Sequence, residues 1–429
     1  MGRSHSSDII SNLPDLIIET ILVHLPIRDA ITTSLLSNKW RYKWTTIPNL
    51  VFAEEKDVRS STIRRELRIN KLVNFVDRVL LNHKGSIHKF ELSTYSLAGY
   101  AVIDSWILFL SKNGVKEIVL TFSIGNLYEV HSSLFSCDAI CCLNLCYCIL
   151  KPPPMFKGFS NLRSLDLVVV TLTDEVLESM ISSCTVLETL RLIQLEGYSC
   201  IKICSPNLQH FYFEGEFADI CFIYAPLLSF VSITLEITVV KKDVEQGEIS
   251  NLVRVLGCLT GLEELVIRGF LMEFLAMGSL PKDVPVTYDR LKSICLHTNF
   301  QDLNQSLVML CLLQSSPNLQ TLELVAKGED ATKYADATEY ADATEYVEDF
   351  WKAQGGLNCS MNQLLVVKIR MLGAQPELDF IEFLLARSLV LEILSVSLVP
   401  NEIFLVSKVT RALVRFPRAS AKAEINYRG

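Results

Sequence analysis

Apolar residues in the first fifty positions recur with helical spacing. Ile17, Ile21 and Leu25 fall at i, i+4 and i+8, and Ile18 and Leu22 widen the stripe. Pro14 suits the first turn of a helix, where a missing N–H costs nothing, and Pro26 stops that helix. Ile31, Leu35 and Leu36 mark a second short helix. Ser37 can cap a third, Asn38–Trp44, which would expose Trp40 and Trp44 one turn apart. Helices this short cannot bury all these apolar groups among themselves, so part of their surface must meet another surface. The pattern predicts a docking module.

A longer helical pattern covers Val58–His83, with Leu67, Leu72, Phe75, Val76, Val79 and Leu80 on its apolar side. Arg59, Arg64, Arg65, Arg68 and Lys71 crowd its first half; Glu66 interrupts them and no aromatic platform accompanies them, so they read as a solvated face.

From residue 87 a different phrase takes over, apolar-x-x-apolar-x-apolar. Clear copies are Leu162–Leu167, Leu187–Leu192, Leu262–Ile267 and Leu319–Leu324; weaker ones start at Ile87, Val115, Ile140, Leu208, Leu227, Leu291, Leu364 and Leu391. Most starts lie about 19 to 29 residues apart, the leucine-rich-repeat period. Longer gaps precede Leu262 and Leu364. Side chains alternate along a strand, so the last two apolar residues of the phrase point one way and the residue between them points the other. One such strand cannot cover its own apolar face, whereas stacked copies share a continuous core. The connecting segments read as helices: Thr173 or Asp174 can cap Val176–Cys184, Ser250 can cap Leu252–Leu256, and Ser306–Leu313 stops before Pro317. Parallel strands with a returning helix each time curve into a horseshoe.

The residues between the last two apolar positions should line its inner face. In order they are Glu91, Val119, Asn144, Asp166, Arg191, Tyr212, Val231, Val266, Cys295, Glu323, Lys368 and Ser395. The row is mixed in sign and half apolar. A phosphate-rich ligand would need convergent cations, and only Arg191 and Lys368 are basic, so an inositol-phosphate pocket is not supported. A protein target fits better, with Asp166, Arg191, Tyr212 and Glu323 as candidate contacts; Arg and Tyr are types favoured at binding hot spots.

Residues 328–349 break the rhythm. Tyr334–Glu339 is copied as Tyr340–Glu345, an acidic tandem with no apolar face that reads as a surface insertion. Beyond it lie one more strand, an amphipathic helix around Ile381, Leu384 and Leu385, and the strand Leu391–Val396, a plausible end cap. Arg411, Arg415, Arg418, Lys422 and Arg428 make residues 401–429 a basic, solvated tail.

Composition narrows the function. The chain has 429 residues, half of them hydrophobic, and a formal charge of −8, which does not suit a sequence-independent nucleic-acid binder. No apolar run reaches membrane-spanning length and no secretory h-region opens the chain. Met1–Ser6 fits the loose N-myristoylation pattern at Gly2, although one acyl chain binds membranes only marginally. Thirteen cysteines without a signal peptide point to a reduced nuclear and/or cytoplasmic protein. Cys141, Cys142, Cys146 and Cys148 lack zinc-knuckle spacing and alternate as core residues of a strand, so no metal or other cofactor is expected. Walker, dinucleotide-binding, zinc-protease and hydrolase-elbow motifs are absent, so the chain reads as non-catalytic.

The spelling of the N-terminal module goes further. Asp8–Asp15, Ile21-Leu22, Leu25–Ala30 and Leu36–Trp44, with Leu-Pro, Ile-Leu, Leu-Pro and the Trp pair in order, resemble the F-box, in the style of the plant F-box/FBD/leucine-rich-repeat family. Val347–Trp351, Asn362–Leu364, Gly373 and Pro376–Leu385 resemble that family's FBD domain. The resemblance implies an α/β chain: a small all-α F-box at 8–52, a linker helix at 53–86, a leucine-rich-repeat horseshoe at 87–349 including the 328–349 insertion, an FBD cap at 350–400 and the tail at 401–429. It also implies the substrate receptor of a Skp–cullin–F-box ubiquitin ligase. The F-box would dock a Skp-type adaptor through Leu13, Pro14, Ile18, Ile21, Leu22, Leu25, Pro26, Ile31, Leu35, Trp40 and Trp44, and the repeats would hold an unidentified target protein, with neither nucleic acid nor membrane as partner. Two alternatives stay open: a non-catalytic repeat scaffold with no ligase role, and a membrane-tethered regulator acylated at Gly2.

Overall fold

A computed structural model describes residues 10, 13–54, 62–95, 97, 99, 101–123, 127–236, 251–277, 286–327, 350–353, 361–398 and 405–428. Gly2, Asp8, Ile9, Ser11, Asn12, Arg59, Ser250, the acidic tandem and Val347–Asp349 lie outside them, as do the side chains of Arg64, Arg65 and Arg428. Among the described residues no helix is long and apolar enough to cross a membrane. The chain forms two compact units, residues 1–198 and 199–429.

The first unit begins with helices α1 (Asp15–Val23) and α2 (Ile27–Thr32), each entered through a proline in extended conformation. One-turn 3-10 segments follow at Thr33–Leu35 and Lys43–Thr46. Then come β1 (Asn49–Ala53), α3 (Thr62–Asn82), β2 (Lys89–Ser93), α4 (Val102–Lys112), β3 (Glu117–Thr121), the short β4 (Tyr128–Glu129), β5 (Cys142–Ile149), β6 (Ser164–Thr171), α5 (Asp174–Ser183) and β7 (Thr189–Ile193). The six long strands stack in chain order as a parallel sheet, and β4 pairs with the end of β5.

In the second unit β8 (Cys200–Cys204) and β10 (Asp219–Tyr224) form a separate parallel pair. The main sheet runs β9 (His210–Gly215), β11 (Phe230–Leu235), β12 (Glu264–Gly269), β13 (Ser293–Thr298), β14 (Thr321–Ala326), β15 (Val366–Met371), β16 (Ile393–Leu398) and β17 (Glu424–Arg428), all parallel. Helices α6 (Asn251–Leu256), α7 (Leu271–Leu275), α8 (Leu303–Gln314), α9 (Phe350–Ala353), α10 (Gln375–Leu385) and α11 (Val406–Arg415) intervene.

Every one of the twelve sequence phrases became a strand of these sheets. The apolar positions are the cause: Leu162, Leu165 and Leu167, like Leu187, Leu190 and Leu192, are fully buried. Each such leucine contributes roughly 1.5–3 kcal/mol on burial. Thr173 caps α5, its side chain accepting from the Val176 N–H at 3.5 Å. Asp302, four residues ahead of the expected start, caps α8 by accepting from Asn304 and Gln305.

Several expectations need correction. The repeats begin earlier than residue 87, because Ile47-x-x-Leu50-x-Phe52 is itself a copy, and β1 pairs with β2 in register from Asn49↔Lys89. The segment 8–52 is therefore not all helical. The supposed basic tail is folded as well: α11 buries Val409 and Leu413, and β17 extends the sheet beside β16. Around residues 200–224 the connections are strands rather than helices, because Cys-Ile-Lys-Ile-Cys and Asp-Ile-Cys-Phe alternate with period two. At Leu227 the phrase slips by one. Leu228 is buried and Leu227 is 52 % exposed, so Val231 points into the core and Ser232 takes its place in the row. Leu67 is exposed, while Leu72, Val76, Val79 and Leu80 are buried as expected. Of the clustered cysteines only Cys148 belongs to the core; Cys141, Cys142 and Cys146 are half-buried.

One backbone feature repeats. The third residue after Asn144, Asp166 and Arg191 has positive φ: Tyr147 60°, Val169 51° and Gln194 48°. Gly215 and Gly269 stand at the same place after Tyr212 and Val266. The rib geometry demands a left-handed step there whether or not glycine is available.

Candidate functional site

Two surfaces have the makings of a binding site. The first is the N-terminal helical module. Helix α1 is apolar on both sides: Ile18 and Leu22 face inward and are buried, while Leu16, Ile17, Ile21 and Val23 face outward. Leu35 and Leu36, just beyond α2, are exposed as well, and Leu16 and Leu35 are 76 % and 85 % exposed. Apolar residues on the outward side of a helix need cover as those on the inward side do; Asp15, Glu19 and Thr20 are its polar residues.

The two tryptophans behave differently from expectation. Trp40 is 2 % and Trp44 8 % exposed, so neither is a free docking group. The reason is local: Asn38–Trp44 forms turns leading into a 3-10 segment, not an α-helix, and this carries both rings inward. Trp40 Nε1 donates to the Ile10 carbonyl at 3.1 Å. Lys39 donates to the Leu13 carbonyl, and Lys43 bridges Asp15 and Glu19, each at 3.3 Å. Trp40 thus ties the module to Ile10 ahead of α1, and Trp44 is buried within it. Among the other expected contacts Pro14, Ile21, Pro26 and Leu35 are exposed, and Leu13, Leu25 and Ile31 are half-buried.

The module is fixed to the first ribs. The Thr45 carbonyl accepts from Lys84 N–H at 2.9 Å, His83 Nε2 lies 2.9 Å from the Ile47 carbonyl, and the Arg28 guanidinium sits 5.5 Å from the Phe75 ring centre. Helix α3 is in turn tied to α4, where Trp106 Nε1 donates to Asp77 at 2.7 Å.

The second surface is the face of each sheet on which strand side chains stay half-exposed. In the first unit the register places Asn144, Asp166 and Arg191 side by side on β5, β6 and β7. Asn144 Nδ2 donates to Asp166 Oδ2 at 3.0 Å, and Arg191 lies 3.6 Å from the same oxygen. Burial raises the Asp166 pKa above its ordinary value, and the Arg191 charge opposes that rise. In the second unit Tyr212 pairs in register with Ser232, and its ring packs on Phe230 with centres 4.7 Å apart. Glu323 stands between Cys295 and Lys368. Asp166 and Arg191 thus meet directly, whereas Tyr212 and Glu323 belong to ribs that are not neighbours.

A second row, two residues further along the same strands, escaped the sequence reading. It holds Arg268 on β12, His297 on β13 and Arg370 on β15, and Lys327 follows β14 with its ammonium 3.0 Å from the Phe270 ring centre. The His297 pKa is lowered, first by burial and then by the charges of Arg268, Lys327 and Arg370. The period-two rule that located Cys295 and Lys368 also locates His297 and Arg370; the signal was present one step down the strand.

Comparison with known proteins agrees with this geometry. An F-box domain model matches residues 10–52, and a model described as FBD-associated F-box protein At5g56370, LRR repeats, matches residues 103–324. The chain is 41 % identical to the Arabidopsis thaliana F-box/FBD/LRR-repeat protein At1g13570 across 99 % of both chains. It belongs to the F-box/FBD/LRR-repeat family. The putative FBD-associated F-box protein At5g53635 of the same plant is 26 % identical over 97 % of this chain and 99 % of its own. Within this F-box/LRR protein the matched F-box residues run into β1, so the module and the first rib are continuous in sequence and in the sheet. F-box/LRR proteins are in general non-catalytic adaptors, and an F-box implies binding of a Skp-type adaptor.

Proposed function

We propose that this protein is the substrate-recognition subunit of a Skp–cullin–F-box ubiquitin ligase. The F-box docks a Skp-type adaptor and the repeats hold a target protein, so that transfer is promoted by proximity rather than by chemistry from this chain. What carries it is the apolar surface left open by Leu16, Ile17, Ile21, Val23, Leu35 and Leu36 on a module whose core is otherwise closed. Of the expected adaptor contacts, Pro14, Ile21, Pro26 and Leu35 touch the adaptor, with Leu13, Leu25 and Ile31 at its margin. Ile18, Leu22, Trp40 and Trp44 act by holding that surface in place. Asp166, Arg191, Tyr212 and Glu323 contribute to target binding.

The horseshoe curvature expected of stacked strand-and-helix ribs and the role of the FBD region as end cap belong to the same proposal. Support for the cap is the burial of nearly every residue of α10 and the addition of β17 beyond β16. A nuclear and/or cytoplasmic location accords with the twelve described cysteines, all free thiols. The test is co-elution of the purified chain with a Skp-type adaptor at micromolar concentration. A chain that elutes alone would leave a repeat scaffold without ligase function.

A further inference from the structure

We propose that the second unit's row of cations, Arg268, Lys368 and Arg370 beside His297, is the docking surface for an extended, carboxylate-rich segment of the target protein. This rests on the chain being a substrate receptor and adds the chemistry of what it receives.

The two units differ in how they treat charge on the open face of the sheet. In the first unit the cations are answered from within: Lys89 lies 3.2 Å from Glu91 and 2.9 Å from Glu117, and Arg191 reaches Asp166. In the second unit Arg268, Lys368 and Arg370 are exposed, and no carboxylate of the described residues lies within ion-pair distance of any of them. Glu264 is on the same strand as Arg268, and Glu323 faces Lys368 in register on the adjoining strand, yet neither closes to ion-pair distance on these cations. A sheet face that leaves cations uncompensated stabilises an incoming anion more than one that has neutralised itself.

The spacing favours a chain over a small ion. Arg268 and Arg370 are on strands separated by β13 and β14, hence roughly 14 Å apart at the backbone. Lys368 and Arg370 are on one strand, about 7 Å apart. A peptide crossing the ribs with acidic residues at alternate positions meets these cations in turn. Between them the half-buried Val325 offers apolar surface to its uncharged residues.

The test uses the full chain bound to its adaptor and a fluorescein-labelled peptide of alternating Glu and Ser, followed by anisotropy. Wild type should bind it, with affinity falling as salt rises, and should ignore the peptide with Gln in place of Glu. Arg268→Ala/Lys368→Ala/Arg370→Ala should weaken binding about tenfold, Arg370→Glu alone should weaken it as well, and Lys112→Ala, an exposed cation at the end of α4 in the first unit, should leave it unchanged. Equal binding of the Gln peptide, or full affinity in both the triple variant and Arg370→Glu, overturns the proposal. The chain's own residues 328–349, with eight acidic side chains and one lysine, are a rival occupant. Replacing those acids by amides should change probe affinity less than twofold. A tenfold gain would show that the surface serves this tract and not a target. Adaptor co-elution is read in every sample, so a complex that holds the adaptor but not the probe refutes this inference alone.

Discussion

Replacing Leu16 and Leu35 by aspartate should abolish adaptor docking while leaving the fold intact; replacing Trp40 by alanine should do the reverse in order of cause. Both leucines are mostly exposed, and complete burial of a leucine side chain contributes roughly 1.5–3 kcal/mol. If docking covers both, Leu16→Asp/Leu35→Asp loses at least about 3 kcal/mol and weakens binding more than about 100-fold. The stability cost should stay within about 0.5 kcal/mol, since neither side chain is in the core and Asp near the start of α1 suits the helix dipole. Trp40 is buried, and its N–H satisfies the Ile10 carbonyl. Trp40→Ala should therefore cost about 3–5 kcal/mol of stability and lose docking only because the module loosens. The assay pairs titration calorimetry against a Skp-type adaptor with thermal unfolding of each variant. Wild-type affinity in the leucine variant would refute the assignment of the interface. Lost affinity with unchanged stability in Trp40→Ala would place the indole at the interface and not beneath it.

Three further outcomes follow from the ribs. Val169 holds a left-handed conformation that costs a β-branched residue about 1–2 kcal/mol, so Val169→Gly should change unfolding free energy by less than about 1 kcal/mol, whereas Val170→Gly, in the core, should cost more than about 3 kcal/mol by denaturant titration. Because burial raises the Asp166 pKa in the folded state, the native protein binds the proton more tightly than the unfolded chain. That group's contribution to stability is therefore fully present below its unfolded pKa and is lost as pH rises through its folded pKa; Asp166→Asn should be near neutral at pH 7 and should remove this slope from urea unfolding curves in acidic buffer. Glu377 is buried and accepts from the N–H groups of Leu372, Gly373 and Ala374, the last two at 2.7 and 3.0 Å, so Glu377→Ala should cost about 3 kcal/mol and Glu377→Gln less than half of that, measured as the shift in unfolding midpoint.

The legible and illegible parts of this chain divide along a physical line. Strand phrases were readable because period-two alternation with leucine at the first position is both local and redundant. Ile47-x-x-Leu50-x-Phe52 carries the same phrase but directly follows residues with helical spacing, which obscures it. β17 lacks the opening leucine, with Lys422 in that place, and its pairing with β16 supplies what the phrase does not. The Trp pair shows the limit from the other side. One-turn spacing in a seven-residue helix would set the indoles outside, but helix nucleation is costly in so short a segment, and Asn38–Trp44 follows its tertiary contacts instead. Charge was the least legible property. Arg191 and Arg370 look alike along the chain, yet the structure gives Arg191 a carboxylate on the next rib and leaves Arg370 beside Ser397 and Val325. Pairing between ribs is decided by register across some twenty or more residues, so which cation is free to meet a partner becomes visible only when the strands are laid side by side. In a sheet of stacked ribs, that makes register, and not composition, the determinant of which charges stay open.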